Sequence, residues 1–129
     1  MKLLLDTHIL LWAAGDPDRL SPATRSILLD EANSLFFSSA SIWEVVIKRG
    51  LKREDFRVNP HRLRKLLVAN GYTELPLTSE HALAIDLLPP LHKDPFDRVL
   101  IAQARTEGMQ LLTADSQVVA YGEGIMTAG

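Results

Sequence analysis

The sequence predicts an α/β protein: a three-layer α/β/α sandwich around a mostly parallel central sheet of four to five short strands. Two observations support this fold class. Short continuous apolar runs, which are typical of strands buried on both faces, alternate along the chain with segments of helical periodicity. Parallel strands require helical crossovers, and the intervening segments have the pattern of such helices. No apolar stretch approaches the length needed to span a membrane.

In the first part of the chain, two predicted strands are each followed by a helix, and another helix lies between them. Ser21 and Pro22 form a helix start, with a capping hydroxyl and a proline at the first helical position. The predicted elements are a strand over 2–5, a short helix ending at Gly15, a helix from Pro22 to about Asn33, a strand over 34–38 and a helix from Ser41 to Gly50.

The second part of the chain continues the alternation. Pro76 interrupts a run of strand character, which predicts an edge strand or a strand end there. The predicted elements are a helix between Asn59 and Gly71, a strand over 72–77, a helix from Thr78 or Ser79 through Leu87, a helix from Pro95 to Gly108, a strand over 110–113 and a fifth strand over 125–127.

Length and composition indicate one globular domain, residues 1–129, with 47% hydrophobic and 23% charged residues. The chain has no cysteine, which excludes disulfide scaffolds, thiolate zinc sites, iron–sulfur ligation and cysteine nucleophiles, and fits a reducing compartment. Only three apolar residues precede Asp6, too few for the core of a signal peptide, so we expect a cytoplasmic protein.

The formal net charge of −2 conceals a strong segregation. Between Lys48 and Lys65 the chain has eight basic and two acidic residues, a local charge of +6. The remainder has six basic and fourteen acidic residues, a charge of −8. The basic segment is either a surface that follows a phosphate backbone or a solvated helix face, and we favour the first because an anionic-substrate site is predicted beside it.

Four acids lie where predicted strands end or predicted helices begin: Asp6, Glu44, Asp97 and Asp115. The carboxyl ends of parallel strands meet at one edge of the sheet, which is where ligands bind in such folds. Carboxylates collected there repel one another unless a cation lies among them. Oxygen ligands in this number suit Mg²⁺ or Mn²⁺, and such an ion promotes hydrolysis of a phosphodiester.

Each acid also has a structural interpretation. Asp94 and Asp115 are candidate helix N-caps, and Asp97 could simply complement a helix dipole. Glu44 lies among apolar residues and is harder to explain as a solvated side chain. Asp6 has the weakest structural alternative, because a carboxylate at the end of a buried strand is costly unless it is paired.

Neighbouring polar residues complete the predicted site. Thr7 and Thr113 could hold carboxylates or water, or could serve only in turns. His8 and His92 lie near the same edge but are treated as hydrogen-bonded packing residues outside the catalytic set. The predicted substrate-binding residues are Thr7, Thr113, Lys48, Arg49, Lys52, Arg53 and Arg98.

Four segments together resemble a known family. They are Leu3–His8, Ser41–Glu44, Leu91–Arg98 with its continuation Leu100–Ala104, and Leu111–Asp115. In order and spacing they are similar to the conserved blocks of PIN domains, and above all to the VapC-like toxins of bacterial and archaeal type II toxin–antitoxin pairs. The resemblance covers nearly the whole chain, apart from residues 50–61, which match no block.

The resemblance implies a Mg²⁺- or Mn²⁺-dependent endoribonuclease, usually a homodimer, that is inhibited by a small antitoxin docking near the site. It implies that Asp6, Glu44, Asp97 and Asp115 are the catalytic, metal-binding acids, with Asp94 outside this quartet.

Two other functions stay open at this point. The run Leu3–Thr7 also suits an aspartyl-phosphate phosphatase, although such enzymes usually have a second acid where this chain has His8. The same fold could also serve as a non-catalytic module that binds RNA or a protein through the basic segment.

Overall fold

The computed structural model describes residues 1–128, so the predicted domain is covered except for Gly129, which lies outside the described residues. Its centre is a five-stranded sheet in the order β3-β2-β1-β4-β5, with every neighbouring pair parallel. The α/β class, the three layers and the parallel sheet are confirmed. The strands are β1 (Lys2–Leu5), β2 (Ser34–Ser38), β3 (Thr73–Leu75), β4 (Gln110–Thr113) and β5 (Ile125–Thr127).

Helices connect the strands, as right-handed parallel crossovers require. Three short 3₁₀ turns, Pro17–Arg19, Glu54–Phe56 and Ile85–Leu87, lie between them. The helices are α1 (Thr7–Gly15), α2 (Pro22–Leu29), α3 (Ser39–Gly50), α4 (Pro60–Ala69), α5 (Ser79–Ala84), α6 (Pro95–Glu107) and α7 (Ser116–Val119). None of the helices in residues 1–128 is both long and apolar enough to cross a bilayer.

The central strand β1 separates two hydrophobic layers. Its residues Leu3, Leu4 and Leu5 are fully buried, and alternate side chains point to opposite faces. Leu3 and Leu5 join a layer with Ile9, Leu10, Val45, Leu63 and Leu67 from α1, α3 and α4. Leu4 joins the other layer, with Leu100, Ile101 and Val118 from α6 and α7. Both faces of the sheet are therefore covered, which explains the uninterrupted apolar run in the sequence.

Two element boundaries differ from the sequence prediction for local reasons. Helix α2 ends at Leu29 rather than near Asn33, because the Asn33 side-chain amide donates to the Ile27 carbonyl and the Asp30 carboxylate accepts from the Ala32 amide. Strand β3 is limited to Thr73–Leu75, and it pairs only with β2. The edge position that Pro76 indicated is confirmed, since proline offers no amide to continue the ladder.

The ends of α3 show a second departure from the sequence prediction. The helix begins at Ser39, two residues earlier than predicted, because the Ser38 hydroxyl accepts from the Ala40 amide. It ends at Gly50, but the residue with left-handed backbone is Lys52, at φ 58°. The Lys52 amide donates to the Arg49 carbonyl and the Arg53 amide to the Lys48 carbonyl, the pattern of a Schellman motif.

Glycine is the usual residue at this position of a Schellman motif, since a side chain costs about 1–2 kcal/mol there. We therefore expect Lys52→Gly to raise the free energy of unfolding by about 1 kcal/mol in urea denaturation. Lys52→Ala is the matched control, because it removes the ammonium group but keeps the backbone cost. Equal stability of the glycine and alanine variants would contradict the assignment.

Candidate active site

The carboxyl edge of the sheet collects acidic helix caps. Because α1, α6 and α7 all begin at this edge, their N-cap residues lie close to one another. The caps are Asp6 for α1, Asp94 for α6 and Asp115 for α7, and each carboxylate accepts from backbone amides of its own helix. The prediction that Asp94 and Asp115 are helix N-caps is thus confirmed. Capping these helices also directs both carboxylates to the same edge of the sheet.

Asp6 is the most buried of these caps, with 5% of its surface exposed. One carboxylate oxygen accepts from the Ile9 amide at 2.9 Å, and the other accepts from the Thr113 hydroxyl. Burial raises the pKa of Asp6, although the bonds to Thr113 and Ile9 lower it and Asp115 adds repulsion. The carboxylate has therefore lost more hydration than its hydrogen bonds return.

Glu44 reaches the same edge from the second turn of α3 and is 2% exposed. Its Oε1 accepts from the Thr7 hydroxyl at 2.6 Å. The Ser41 hydroxyl lies 2.9 Å from the Thr7 oxygen, and since Thr7 has only one proton to give, Ser41 is the donor in that pair. Thr7 thus links the start of α1 to α3.

Lys48 lies inside the acidic cluster rather than on the surface. Its Nζ is 2.5 Å from Glu44 Oε2 and 3.5 Å from Asp94 Oδ2, with only 14% of the side chain exposed. Burial lowers the pKa of Lys48, but the hydrogen bond and attraction to Glu44, with a contribution from Asp94, outweigh burial and raise it overall. Its role in substrate binding stays a prediction, since its contacts described here are to acids of the protein.

Asp97 occupies the first turn of α6, as the sequence indicates. Its Oδ2 lies 2.7 Å from Nε2 of His92. The other ring nitrogen of His92, Nδ1, accepts from the Asp94 amide at 3.5 Å, so Nε2 carries the proton and donates to Asp97. Burial, followed by repulsion from Asp94, raises the pKa of Asp97 to about 6, while the bond to His92 opposes the rise. Glu44 and Asp6 add smaller repulsions, so three neighbouring acids, Asp94, Glu44 and Asp6, act on Asp97.

Asp115 completes the edge with a partly exposed carboxylate. Its Oδ2 is 3.8 Å from His92 Nε2, and its backbone amide donates to the Thr113 hydroxyl, which itself donates to Asp6. One ligand atom each from His92, Asp97 and Asp115 lies within 4.8 Å of the others. Carboxylate oxygens are the ligands that Mg²⁺ and Mn²⁺ prefer, and neither Asp97 nor Asp115 forms an ion pair with a lysine or arginine within residues 1–128.

The structure therefore brings all four predicted acids to one edge of the sheet, together with Thr7 and Thr113. Sequence reasoning left His92 and Asp94 out of the catalytic set, yet His92 bonds to the Asp97 carboxylate and Asp94 accepts from the Asp97 amide. The available signal was proximity in sequence, because both residues lie within five positions of Asp97 in the same segment.

The remaining predicted substrate-binding residues divide into two groups. Arg49, Lys52 and Arg53 are exposed and line a shallow cavity of about 240 Å³ with Phe56 and Arg57. Arg53 Nε is 3.7 Å from Asp55, whereas neither Arg49 nor Lys52 has an ion pair within residues 1–128. This cavity, called the basic cavity below, continues the charge segregation seen in the sequence.

Arg98 has different surroundings. Its guanidinium donates to the Pro89 and Ile85 carbonyls and to the Tyr121 hydroxyl, at 3.2–3.4 Å. These bonds hold the segment before α6 against the residues that follow α7. Its assignment to substrate stays a prediction that these bonds do not favour.

Comparison with known proteins agrees with this geometry. The family model described as PIN domain matches residues 3–123. The chain belongs to the PIN domain family. Ribonuclease VapC22 of Mycobacterium tuberculosis is 28% identical over 116 residues, which are 90% of this chain and 88% of that protein.

Two solved structures share the PIN fold with this chain at low sequence identity. One is VapBC2 from Rickettsia felis bound to a DNA fragment from their promoter, with a TM-score of 0.69, 17% identity and coverage of 98% of this chain and 97% of that chain. The other is a toxin–antitoxin complex from Klebsiella pneumoniae, with a TM-score of 0.63, 18% identity and coverage of 98% of each chain.

The pKa of Asp97 has a consequence for stability. Between its unfolded value near 3.8 and about 6 in the fold, the folded state binds more protons than the unfolded state, so stability falls as pH rises through this window. The penalty above pH 6 is of the order of 3 kcal/mol. In metal-free buffer, Asp97→Asn should therefore raise the free energy of unfolding at pH 7.5 and flatten its decline between pH 4 and 6.

The matched control for this prediction is Asp86→Asn, at an exposed acid that forms no ion pair within residues 1–128. It should leave the slope of stability against pH between 4 and 6 unchanged. Urea denaturation across that range gives both slopes, and an Asp97→Asn variant with the same slope as wild type would show that Asp97 is not destabilised by its surroundings.

Proposed function

We propose that this PIN domain is a divalent-metal-dependent endoribonuclease and the toxin of a toxin–antitoxin pair. The convergence of Asp6, Glu44, Asp97 and Asp115 at one sheet edge carries the proposal. VapC22, which matches along 90% of the chain, is named a ribonuclease, and the Klebsiella pneumoniae neighbour is a toxin–antitoxin complex.

The proposed ion is Mg²⁺ or Mn²⁺, held by Asp97 and Asp115 with Asp6 and His92 alongside. When bound, it lowers the pKa of a coordinated water and offsets charge on the phosphodiester. The protein's own contribution is to orient these acids. Thr113 holds Asp6 and positions the Asp115 backbone, while His92 holds Asp97. These hydrogen bonds hold the Asp6 and Asp97 carboxylates in fixed orientations at the edge where we propose that the substrate binds.

The proposed RNA surface is the basic cavity. Helix α3 connects it to the acids, because Glu44 and Lys48 lie at the site while Arg49 and Lys52 follow at the helix end. Cations next to the acidic edge attract a phosphate backbone that the acids alone would repel. Thr7 and Thr113 are engaged with Glu44 and Asp6, so we assign them to positioning these acids.

The two alternative functions gain no specific support from the structure. An aspartyl-phosphate phosphatase usually has a second acid two residues after its nucleophile, and this chain has no acid there. His8, at the place of the second acid, bonds to Asp55 at 3.1 Å. A non-catalytic module does not require Asp6, Asp97 and Asp115 to meet at one edge without a lysine or arginine partner.

Protein partners are also part of the proposal. They are a small antitoxin and a second copy of this chain, and we place this chain and both partners in the cytoplasm. The antitoxin is supported by the Klebsiella pneumoniae complex. The homodimer is supported by an exposed apolar stripe on α3 formed by Trp43, Val46 and Ile47, which has the helical spacing of a packing surface.

Cleavage of labelled RNA by the purified chain tests the nuclease directly. We expect cleavage with Mg²⁺ or Mn²⁺, none in EDTA, and a loss of about a hundredfold or more for Asp6→Asn and Asp97→Asn. Asp86→Asn controls for loss of an acid elsewhere and should cleave as wild type does. Cleavage that persists in EDTA or in both site variants would exclude the mechanism.

Binding of RNA tests the basic cavity separately from the chemistry. With Asp97→Asn as the non-cleaving background, Arg49→Gln and Lys52→Gln should each weaken binding. Each should also reduce the slope of log affinity against log salt by about 0.7 for every phosphate that the variant no longer neutralises. Lys2→Gln, at the amino end of β1, controls for net charge. An unchanged salt slope in both cavity variants would place the RNA elsewhere.

A further inference from the structure

We propose that Lys48 is a built-in counter-cation of the acidic edge, and that the site consequently takes one divalent ion rather than two. The inference rests on the proposed metal-dependent function and specifies how many ions serve it. It concerns the division of the acids into two halves: a lysine-paired half, Glu44 with Asp94, and an open half, Asp97 and Asp115 with Asp6.

Part of the negative charge in the lysine-paired half is already balanced by the protein. Lys48 Nζ lies 2.5 Å from Glu44 Oε2 and 3.5 Å from Asp94 Oδ2. The other Glu44 oxygen accepts from Thr7 at 2.6 Å. The Asp94 Oδ1 accepts from the Phe96 amide at 2.8 Å as the cap of α6. This half therefore holds a cation of the chain within ion-pair distance of both of its carboxylates.

Lys48 is held in place by packing as well as by its ion pair, which is buried rather than solvated. Its side chain is 14% exposed and that of Glu44 is 3% exposed. The ammonium group lies 4.9 Å from the centre of the Phe56 ring and 5.7 Å from that of Phe96, so an aromatic wall closes it on two sides. A buried charge pair of this kind is strongly destabilised when one partner is removed.

The open half has the opposite character. Asp97 and Asp115 share only the imidazole of His92, and no lysine or arginine forms an ion pair with Asp6, Asp97 or Asp115 within residues 1–128. The ligand atoms of Asp97 and Asp115, with that of His92, lie within 4.8 Å of one another, a group to which Glu44, Asp94 and Asp6 do not belong. Positive charge is thus supplied on one side of the edge and lacking on the other.

Removal of the Lys48 charge should expose the difference between the halves. In EDTA, Lys48→Met should lower Tm by roughly 5–10 °C, since it leaves Glu44 buried without its cation. Calorimetric titration with Mn²⁺ should give one ion per wild-type chain, and Lys48→Met should bind Mn²⁺ about tenfold more tightly, because a positive charge near the ion has gone. Lys2→Met, with the same change in net charge at the amino end of β1, should match wild type in both measurements.

The double variant Lys48→Met with Glu44→Gln keeps the test decisive even if Lys48→Met fails to fold without metal. It removes both members of the pair, so it should have a higher Tm in EDTA than Lys48→Met alone. It should also bind Mn²⁺ within about threefold of wild type, because Glu44 is not needed to hold the ion.

Three results would overturn the inference: two Mn²⁺ ions per wild-type chain, a Lys48→Met variant that behaves like Lys2→Met, or a double variant whose Mn²⁺ affinity falls about tenfold or more. The last would make Glu44 a metal ligand. None of these measurements uses RNA. Failure of the nuclease proposal would appear as absent cleavage, whereas failure of the Lys48 inference would appear in the Mn²⁺ stoichiometry, the Mn²⁺ affinity or the Tm.

Discussion

The burial of the Asp6 carboxylate at the end of the central strand is the constraint on which the rest of the site depends. β1 has neighbours on both sides and helices on both faces, so the residue that follows it, Asp6, lies where little water reaches. A carboxylate there must be satisfied by the protein. The Thr113 hydroxyl and the Ile9 amide at the start of α1 meet that need, and they orient Asp6 toward the edge where α6 and α7 also begin.

The fold and the charge distribution follow from the same arrangement. Helices that return along a parallel sheet start at its carboxyl edge, and acidic caps stabilise those starts. Burial is the main cause of the raised pKa of Asp97, and two of these caps, Asp94 and Asp6, add repulsion to it. Lys48 relieves part of this repulsion from within α3, and the exposed cations that follow it lie on the outer side, where an anionic substrate would approach.

Much of this was predictable from the sequence, because the apolar runs and helix caps are local signals. The parallel sheet, the edge position of β3 and the meeting of the four acids all follow from them. Lys48 was not predictable in its observed place: its side chain turns back to Glu44 one turn earlier and is enclosed by Phe56 and Phe96, which lie in other elements of the chain. The left-handed conformation of Lys52 was missed because the nearby Gly50 carried the expected signal.

The proposed mechanism requires an acidic edge that lacks a cation, which a divalent metal then supplies. An NMR titration that monitors the carboxyl carbon of Asp97 tests this requirement. In EDTA we expect a pKa of about 6 for Asp97. With saturating Mg²⁺ we expect its pKa below the ordinary value near 3.8, since the ion favours the charged carboxylate. The cation deficit would be disproved by an Asp97 whose pKa in EDTA is at or below that ordinary value, or whose pKa does not move when Mg²⁺ is added.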